Sequence, residues 1–453
     1  MKILNQVQDD GRDESAPSTT LREAIMDSVS SVRDSLPEQH REHFETLRQE
    51  IIDFAKAHDI PRESLSKPDA LREAASKLST LDLERLAILL ERFEYLLVHK
   101  KLMKEKLLKY LQETERLYHL EKQYISQVNL LEQLGILENR AILGIDGKRY
   151  PIPTLEQIAT SLFERWELST KREQGFVKLL LVPFGMSLDS LCETLKQFLL
   201  DYKKNNPTFD LDINRPLWTR TGYKGADIGD SPKLVYYPQF FTREGHQGKT
   251  KAQILKEQEE SLVLGIRWTL PPTAGSATGG TASAGVAGSE RDLEKEKGRT
   301  FPGWTIHLLQ PSDPTDSHSL GFALIPRQGQ GTPQGDLTPR PHLEAGKTPN
   351  EYLSILQSSQ DNPDPPYSHE SGMTPEDWIM AFILHLQETG KPLDDAWNPT
   401  NTENFCYLIG AFFSSSVHVP GAFWSRGRRQ ANLIRNDPRN RDGNIGVRTS
   451  VMV

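Results

Sequence analysis

Two cysteines in 453 residues, Cys192 and Cys406, are too few and too far apart for a disulfide framework or a cysteine-based metal site, which needs clustered thiolates. Long hydrophobic runs are missing as well. No stretch approaches the ~18–20 apolar residues of a membrane span, and the opening MKILNQVQDDGRDESAPSTT has no apolar core for a secretory signal. These absences read as a soluble, cytoplasmic chain without a membrane span and leave surface display by a dedicated export route open. A phosphate-cradling loop is also lacking, because SATGGTASAGVAGS has neither the Lys-Ser/Thr ending nor the strand-to-helix setting that such loops need. With a net charge of −8, the chain as a whole is not built to hold polyanions.

Side chains that could do chemistry are scattered. His40 and His43 can share a helical face, but the stretch around them is highly charged and no third ligand is indicated. His307, His318, His342 and His369 lie far apart. Ser416 and His418 are spaced to share a strand face, yet no orienting carboxylate is evident. The sequence therefore assigns no catalytic residue, no metal and no cofactor, and predicts a protein that is not an enzyme.

The pattern along the chain is α+β. Residues 1–20 read as a disordered leader and residues 21–140 as a helical module broken at Pro37, Pro61 and Pro68. Its long apolar stripe, from Leu86 through Phe93, Leu107, Leu120 and Tyr124 to Leu131, advances mostly by three and four residues. That is a helical bundle or a coiled coil, and charged positions such as Lys100 favour the bundle. Gly135 follows as a stop.

From 141 to 453 the texture is that of one loop-rich domain. Asp146-Gly147 marks a hairpin turn. Strands are predicted at Phe176–Val182, Leu234–Tyr237, Leu262–Leu270, Trp304–Leu309 and Phe405–Phe413. Thr154, Ser187, Thr348 and Thr374 each stand where a helix N-cap belongs, and Gly390 where the last helix stops. Residues 271–299 read as a flexible insertion and residues 326–341 as a second Pro/Gly-rich connector.

The C-terminal stretch opposes the charge of the whole. From Gly421 on there are 7 Arg against 2 Asp, a balance of +5, and no lysine follows Lys391. Arginines alternate with Asn432, Asn436, Asn440 and Asn444, and apolar residues recur at intervals a solvated tail would not keep. Arginine next to Trp424 could serve phosphate contact and base stacking. The missing lysines, the end of the aromatics at Trp424 and the acidic remainder argue against nucleic acid as the partner.

The run from Arg429 to Arg448, RQANLIRNDPRNRDGNIGVR, resembles the C-terminal variable region of proteins diversified by retroelements. The matching residues are Pro438, Arg441, Asn444, Gly446 and Arg448, with Val447 where that family often has Phe, and Trp424 after Val419-Pro420 as the opening landmark. The resemblance implies that residues 421–453 end a C-type-lectin-like domain of the variant shared with formylglycine-generating enzymes. It implies a hypervariable surface for a macromolecular ligand, a protein by preference, with oligomerisation through the helical module allowed.

The ligand-binding, variable positions would be Ser425, Arg426, Gly427, Arg428, Asn432, Ile434, Arg435, Asn436, Arg439, Asn440, Asp442, Gly443 and Asn444, all expected to be exposed. The scaffold would be Trp424 and Leu433 packed inward, Ala431 and Gly446 where space is short, and Pro438. Arg429, Arg441 and Arg448 would pin loops through charge-assisted hydrogen bonds. The cysteine pair of formylglycine-generating enzymes and the calcium motifs of lectins are not matched, so no oxidase chemistry and no calcium-dependent sugar binding carry over. An enzyme of the formylglycine-generating type with a degenerate site, and a helical interaction or structural protein with an invariant C-terminus, stay as alternatives.

Overall fold

The computed structural model describes residues 38–61, isolated positions between 73 and 93, and residues 105–453 apart from 165–168, 239–240, 242–247, 265–300, 317–318, 327–342, 359–366, 396–403, 415 and 417. The leader, the insertion at 271–299 and the connector beyond Pro326 lie outside the described residues. The chain divides into two compact units, 1–116 and 117–453.

In the first unit, α1 (Glu38–Ala57) starts directly after Pro37, where a proline can precede but not continue a helix. Its buried Phe44, Leu47, Ile51 and Phe54 follow the three-and-four step and share a core with Leu86, Leu89 and Phe93. The rings of Phe44 and Phe93 stack with centroids 4.9 Å apart.

The second unit begins at Leu117, inside α2 (Glu105–Gln133), and not near residue 141 as the sequence suggests. The physical reason is that Leu120, Tyr124, Val128 and Leu131 of this helix belong to the core of the second unit. The further helices are α3 (Leu155–Glu164), α4 (Ser169–Glu173), α5 (Leu188–Asn205), α6 (Lys251–Leu264), α7 (Pro349–Ser358) and α8 (Pro375–Thr389). Two short hairpin strands, β1 (Ala141–Leu143) and β2 (Arg149–Pro151), pair across the predicted turn, with Gly147 at φ 78°. Next in the chain come β3 (Lys178–Val182), β4 (Leu217–Thr219), β5 (Leu234–Tyr236), β6 (Thr305–Leu309) and β7 (Glu370–Gly372). The last six are β8 (Phe405–Tyr407), β9 (Ala411–Phe413), β10 (Val419–Ser425), β11 (Gln430–Asn436), β12 (Ile445–Val447) and β13 (Thr449–Met452).

Two sheets organise this unit. One is antiparallel with the order β3-β6-β13-β7, and the other is mixed with the order β12-β8-β10-β11-β4. Helix α8 packs against β3 of the first, β10 of the second, and α5. Every residue from Pro375 to Leu386 is buried, as a helix enclosed on all sides requires. Its start is fixed by a reciprocal capping box between Thr374 and Asp377, and its end by Gly390 in the left-handed region at φ 71°. Equivalent boxes join Thr154 to Gln157 and Thr348 to Glu351.

Two strand expectations are corrected. Leu262–Leu264 are the last turn of α6, whose entry is set by a Thr250–Gln253 box. Phe405–Phe413 is two strands in different sheets, because the chain turns at Leu408–Gly410 and crosses the segment leading to α8. Gly410 N donates to Met373 O at 3.0 Å, and a Cβ on Gly410 would sit 3.0 Å from that same oxygen.

Strand β3 is an edge, and α2 closes it with side chains. Gln123 Oε1 accepts from Leu179 N (2.6 Å), Gln127 Oε1 accepts from Leu181 N (2.9 Å), and Gln127 Nε2 donates to Leu179 O (2.7 Å). Two amides one helical turn apart thus meet backbone groups two residues apart on the strand, which satisfies groups that would otherwise be buried without partners. Gln127→Leu leaves both Leu181 N and Leu179 O stranded. Denaturant unfolding should show a loss of about 2 kcal/mol; an unchanged midpoint would mean the strand edge is satisfied in another way.

Candidate functional site

The C-terminal stretch is ordered backbone from end to end. Strands β10 and β11 pair over seven positions, from Val419↔Asn436 to Ser425↔Gln430, around a turn at 426–429. The turn closes on Arg429 at φ 53°, and its carbonyl accepts from Asp212 N (2.8 Å). The loop 437–444 is held by its own aspartates: Asp437 Oδ1 accepts from Arg439 N (2.8 Å) and Asp442 Oδ1 from Asn444 N (3.0 Å), the local hydrogen-bonded turns that Asp favours. Tyr407 Oη donates to Asn440 O (3.0 Å), which ties the loop to β8.

One face of the β10–β11 hairpin is core. Ala422, Trp424, Ala431 and Leu433 are buried, and the Trp424 ring lies 5.5 Å from that of Phe209 and 6.0 Å from that of Phe382 on α8. Gly446 is buried where a Cβ would run into Ile325 and lie 3.4 Å from Ala345, and Pro438 is buried at the loop. These residues sit where close packing leaves no room for other shapes.

The opposite face carries, in register across the sheet, Ile445, Phe405, Phe423, Asn432 and Trp218. Phe405 and Phe423 meet edge to face at 4.1 Å, and both are half-buried, as are Trp218 and Ile434. Helix α7 covers the side of this face nearest β12, where Tyr352, Leu353 and Leu356 share a cluster with Tyr407, Ile445 and Val447.

Arg426, Gly427, Arg428, Arg439, Asn440, Asp442 and Gly443 are exposed, and Ile434, Arg435, Asn436 and Asn444 are half-buried. Two positions expected at the surface are not there. Ser425 is 1% exposed and its Oγ accepts from Arg428 N (3.2 Å), so it serves the turn. Asn432 is also 1% exposed, and its amide is locked to Gln430 through Gln430 Nε2–Asn432 Oδ1 (2.9 Å) and Asn432 Nδ2–Gln430 O (3.0 Å). The Arg435 guanidinium lies 5.5 Å over the Phe413 ring and against Gly222, whose φ is 107°. Asn436 Nδ2 lies in the space that Gly421 leaves by having no side chain.

The three pinning arginines differ. Arg448 is buried, donating to Asp394 Oδ1 (2.6 Å) and Oδ2 (3.2 Å) and to Ala323 O (2.9 Å). Arg441 pairs with Glu351 of α7 and Arg429 with Asp210 at 3.5 Å, but all four side chains are exposed, so these pairs contribute little. Arg426 pairs with Asp395 and Arg439 with Asp437. Most of the local excess of positive charge is therefore already matched by acids. Asp394 and Asp437 carried no signal in the sequence, since each matters only through a contact made in the fold.

Groups with catalytic appearance are enclosed. Ser450, His307 and Asp377 stand in order, with Ser450 Oγ 3.0 Å from His307 Nδ1 and His307 Nε2 3.2 Å from Asp377 Oδ1, but all three are at most 1% exposed. That hydroxyl cannot meet a substrate as placed. The His418 imidazole faces the Ser416 carbonyl, not its hydroxyl. Cys406 is buried in β8, and burial above all pushes its thiol up to about 12, which keeps it neutral at physiological pH. Lys251 is fully buried between Asp227 (2.6 Å) and Glu376 (2.8 Å), with Tyr236 Oη on the same Glu376 oxygen (2.7 Å), which anchors α6 to the start of α8. Among the described residues, no group of three or more His, Cys, Asp or Glu is placed to hold a metal ion, and no helix is long and apolar enough to cross a membrane.

No protein-family model, no curated protein and no solved structure matches this chain.

Two measurements probe the pinned end. Asp394→Ala strands the Arg448 charge in the interior and should cost about 3–5 kcal/mol, whereas Glu351→Ala at the exposed pair should cost under about 1 kcal/mol. Equal effects in denaturant titrations would contradict this ranking. His385 on α8 accepts from Phe322 N at 2.9 Å, and burial, followed by the charge of Arg448, lowers its pKa from 6.5 to about 4. The unfolded chain takes up this proton near pH 6.5 and the folded chain only near 4, so the stabilisation is complete above pH 6.5 and is lost as pH falls through that window. The loss should be on the order of 3 kcal/mol, and His385→Gln should remove that part of the pH slope.

Proposed function

We propose that this protein is a non-enzymatic binding protein whose C-terminal region, residues 419–453, displays a changeable surface to a macromolecular partner, as in the retroelement-diversified proteins its sequence resembles. The observation that carries this reading is the division of labour along one stretch of chain. Trp424, Ala431, Leu433, Pro438, Gly446 and Arg448 are buried, while Arg426, Gly427, Arg428, Arg439, Asn440 and Gly443, interspersed among them, are exposed. Side chains of the second group can change without touching the packing of the first, and exposed substitutions usually alter stability by no more than about 0.5 kcal/mol.

A C-type-lectin-like architecture for residues 117–453 belongs to the same proposal. It is supported by a mixed helix-and-sheet unit with long loops, in which the chain's last strand is inserted between two others of a sheet. Ser425 and Asn432 move from the display set to the scaffold on the strength of their burial, and Arg435 is a border position held by Phe413.

The decisive test is genomic. A near-copy of the gene's 3′ end, beside a reverse transcriptase and differing at adenines, is expected. Its differences should fall at the codons of Arg426, Arg428, Ile434, Asn436, Arg439 and Asn440 and spare those of Trp424, Leu433 and Arg448. Differences concentrated in the second group would contradict the reading. On the protein itself, Arg439→Ser and Asn440→Ser should leave thermal unfolding unchanged and alter binding of any partner isolated with the full chain.

A further inference from the structure

Arg426, Arg429, Arg439 and Arg441 have acidic partners, and Arg448 is buried against Asp394. Arg428 stands exposed in its turn. Arg435 differs from all of them: it is half-buried, and among the described residues no acceptor meets its guanidinium. Nε is shut off from water without a hydrogen bond, while Nη1 and Nη2 reach solvent with both arms of the fork unmatched.

Three parts of the fold hold it there. The guanidinium lies 5.5 Å over the ring of Phe413 on β9, itself 1% exposed, and Tyr223 meets that ring edge-on with centroids 5.1 Å apart. Tyr223 Oη donates to Ile434 O (2.6 Å) and Arg220 N to Leu433 O (2.9 Å), so the segment after β4 is fastened to the strand that carries Arg435. Gly222 in that segment has φ 107°, and a Cβ there would come within 3.0 Å of Arg435 Nη1. Glycine thus answers both a backbone conformation that other residues avoid and the space the guanidinium takes. By strand alternation Arg435 faces the opposite side of β11 from Ile434 and Asn436, which belong to the changeable set.

The balance of effects favours a ligand. A cation over one ring gains little, and a guanidinium withdrawn from water needs acceptors that these surroundings do not supply. The neighbourhood adds positive charge where an acid would be expected. Between Thr219 and Gly225 the charged residues are Arg220 and Lys224, both exposed, and neither has an acidic partner among the described residues. A group with two oxygens side by side, a carboxylate or a phosphate, supplies what such a fork lacks.

We infer that Arg435, seated between Phe413 and Gly222, is a binding site for an oxyanion, a carboxylate or phosphate group held end-on by Nη1 and Nη2. The site goes beyond the changeable-surface reading and does not depend on it.

Isothermal titration of the full chain at fixed ionic strength, with inorganic phosphate in one arm and acetate in the other, reads the site directly. Saturable binding is expected in at least one arm, and the stronger arm identifies the group. Arg435→Lys, which keeps the charge but not the fork, should weaken that binding about tenfold, and Arg435→Met should abolish it. Because the guanidinium has no acceptor in the fold, Arg435→Met should also melt no lower than the unaltered chain when no anion is added. Absence of saturable binding in both arms would overturn the inference, as would binding that survives Arg435→Met or is unchanged by Arg435→Lys. A large drop in the melting temperature of Arg435→Met would overturn it too, because the guanidinium would then be holding the fold.

Discussion

Arg448 is the one residue between β12 and β13, strands that belong to two different sheets, and the architecture of the second unit depends on how it is held. Its guanidinium is buried against both oxygens of Asp394 and the carbonyl of Ala323. A guanidinium placed in the interior demands such a set of acceptors, because its desolvation is otherwise several kcal/mol. With that geometry fixed, β12 is delivered to the edge of the five-stranded sheet and β13 to the interior of the four-stranded one. The end of the chain is then a structural member and cannot behave as a tail.

That constraint propagates backwards. A strand anchored in the middle of a sheet sets where β12 lies, β12 pairs with β8, and β8 pairs with the β10 arm of the hairpin. The hairpin is pressed on α8 through Trp424, and α8 is enclosed by both sheets. What is left for the intervening loops is to span fixed ends, which they do with backbone hydrogen bonds accepted by Asp437 and Asp442. Apart from the buried Pro438 and the half-buried Asn444, their remaining side chains are exposed and have little structural duty. A rigid frame with free side chains between its fixed points is the physical requirement for a surface that changes while its fold does not.

Much of this was legible in the sequence, and the parts that were not share a cause. Caps and stops follow from local chemistry, so Thr374, Gly390, Ser187 and the Asp146-Gly147 turn occur where their residue types demand. The buried places of Trp424, Ala431 and Leu433 are expected only through the family resemblance, because the sequence predicts no strand over Val419–Ser425 or Gln430–Asn436. Long-range placement was not available. Nothing near Arg448 in the chain indicates Asp394, nothing near Phe423 indicates Trp218, and the arginine-rich tail gave no sign that Asp210, Glu351 and Asp395 would neutralise it. Asn432 shows the same limit from the other side: its polarity suggests exposure, but its amide is fully used by Gln430 beneath the surface. The boundary of the second unit moved into α2 because Gln123 and Gln127 meet a strand edge some fifty residues away, which no periodicity reveals.

Residues 419–453 divide into two interleaved sets, one buried in the fold and one exposed, and the proposed surface depends on that division. Saturation substitution of every position in that stretch, read as the folded fraction of each variant after thermal challenge, measures this directly. Sharp intolerance is expected at Trp424, Asn432, Gly446 and Arg448, and near-complete tolerance at Arg426, Arg428, Arg439, Asn440 and Gly443. Uniform tolerance across the stretch, or intolerance at the exposed arginines equal to that at Arg448, would contradict it.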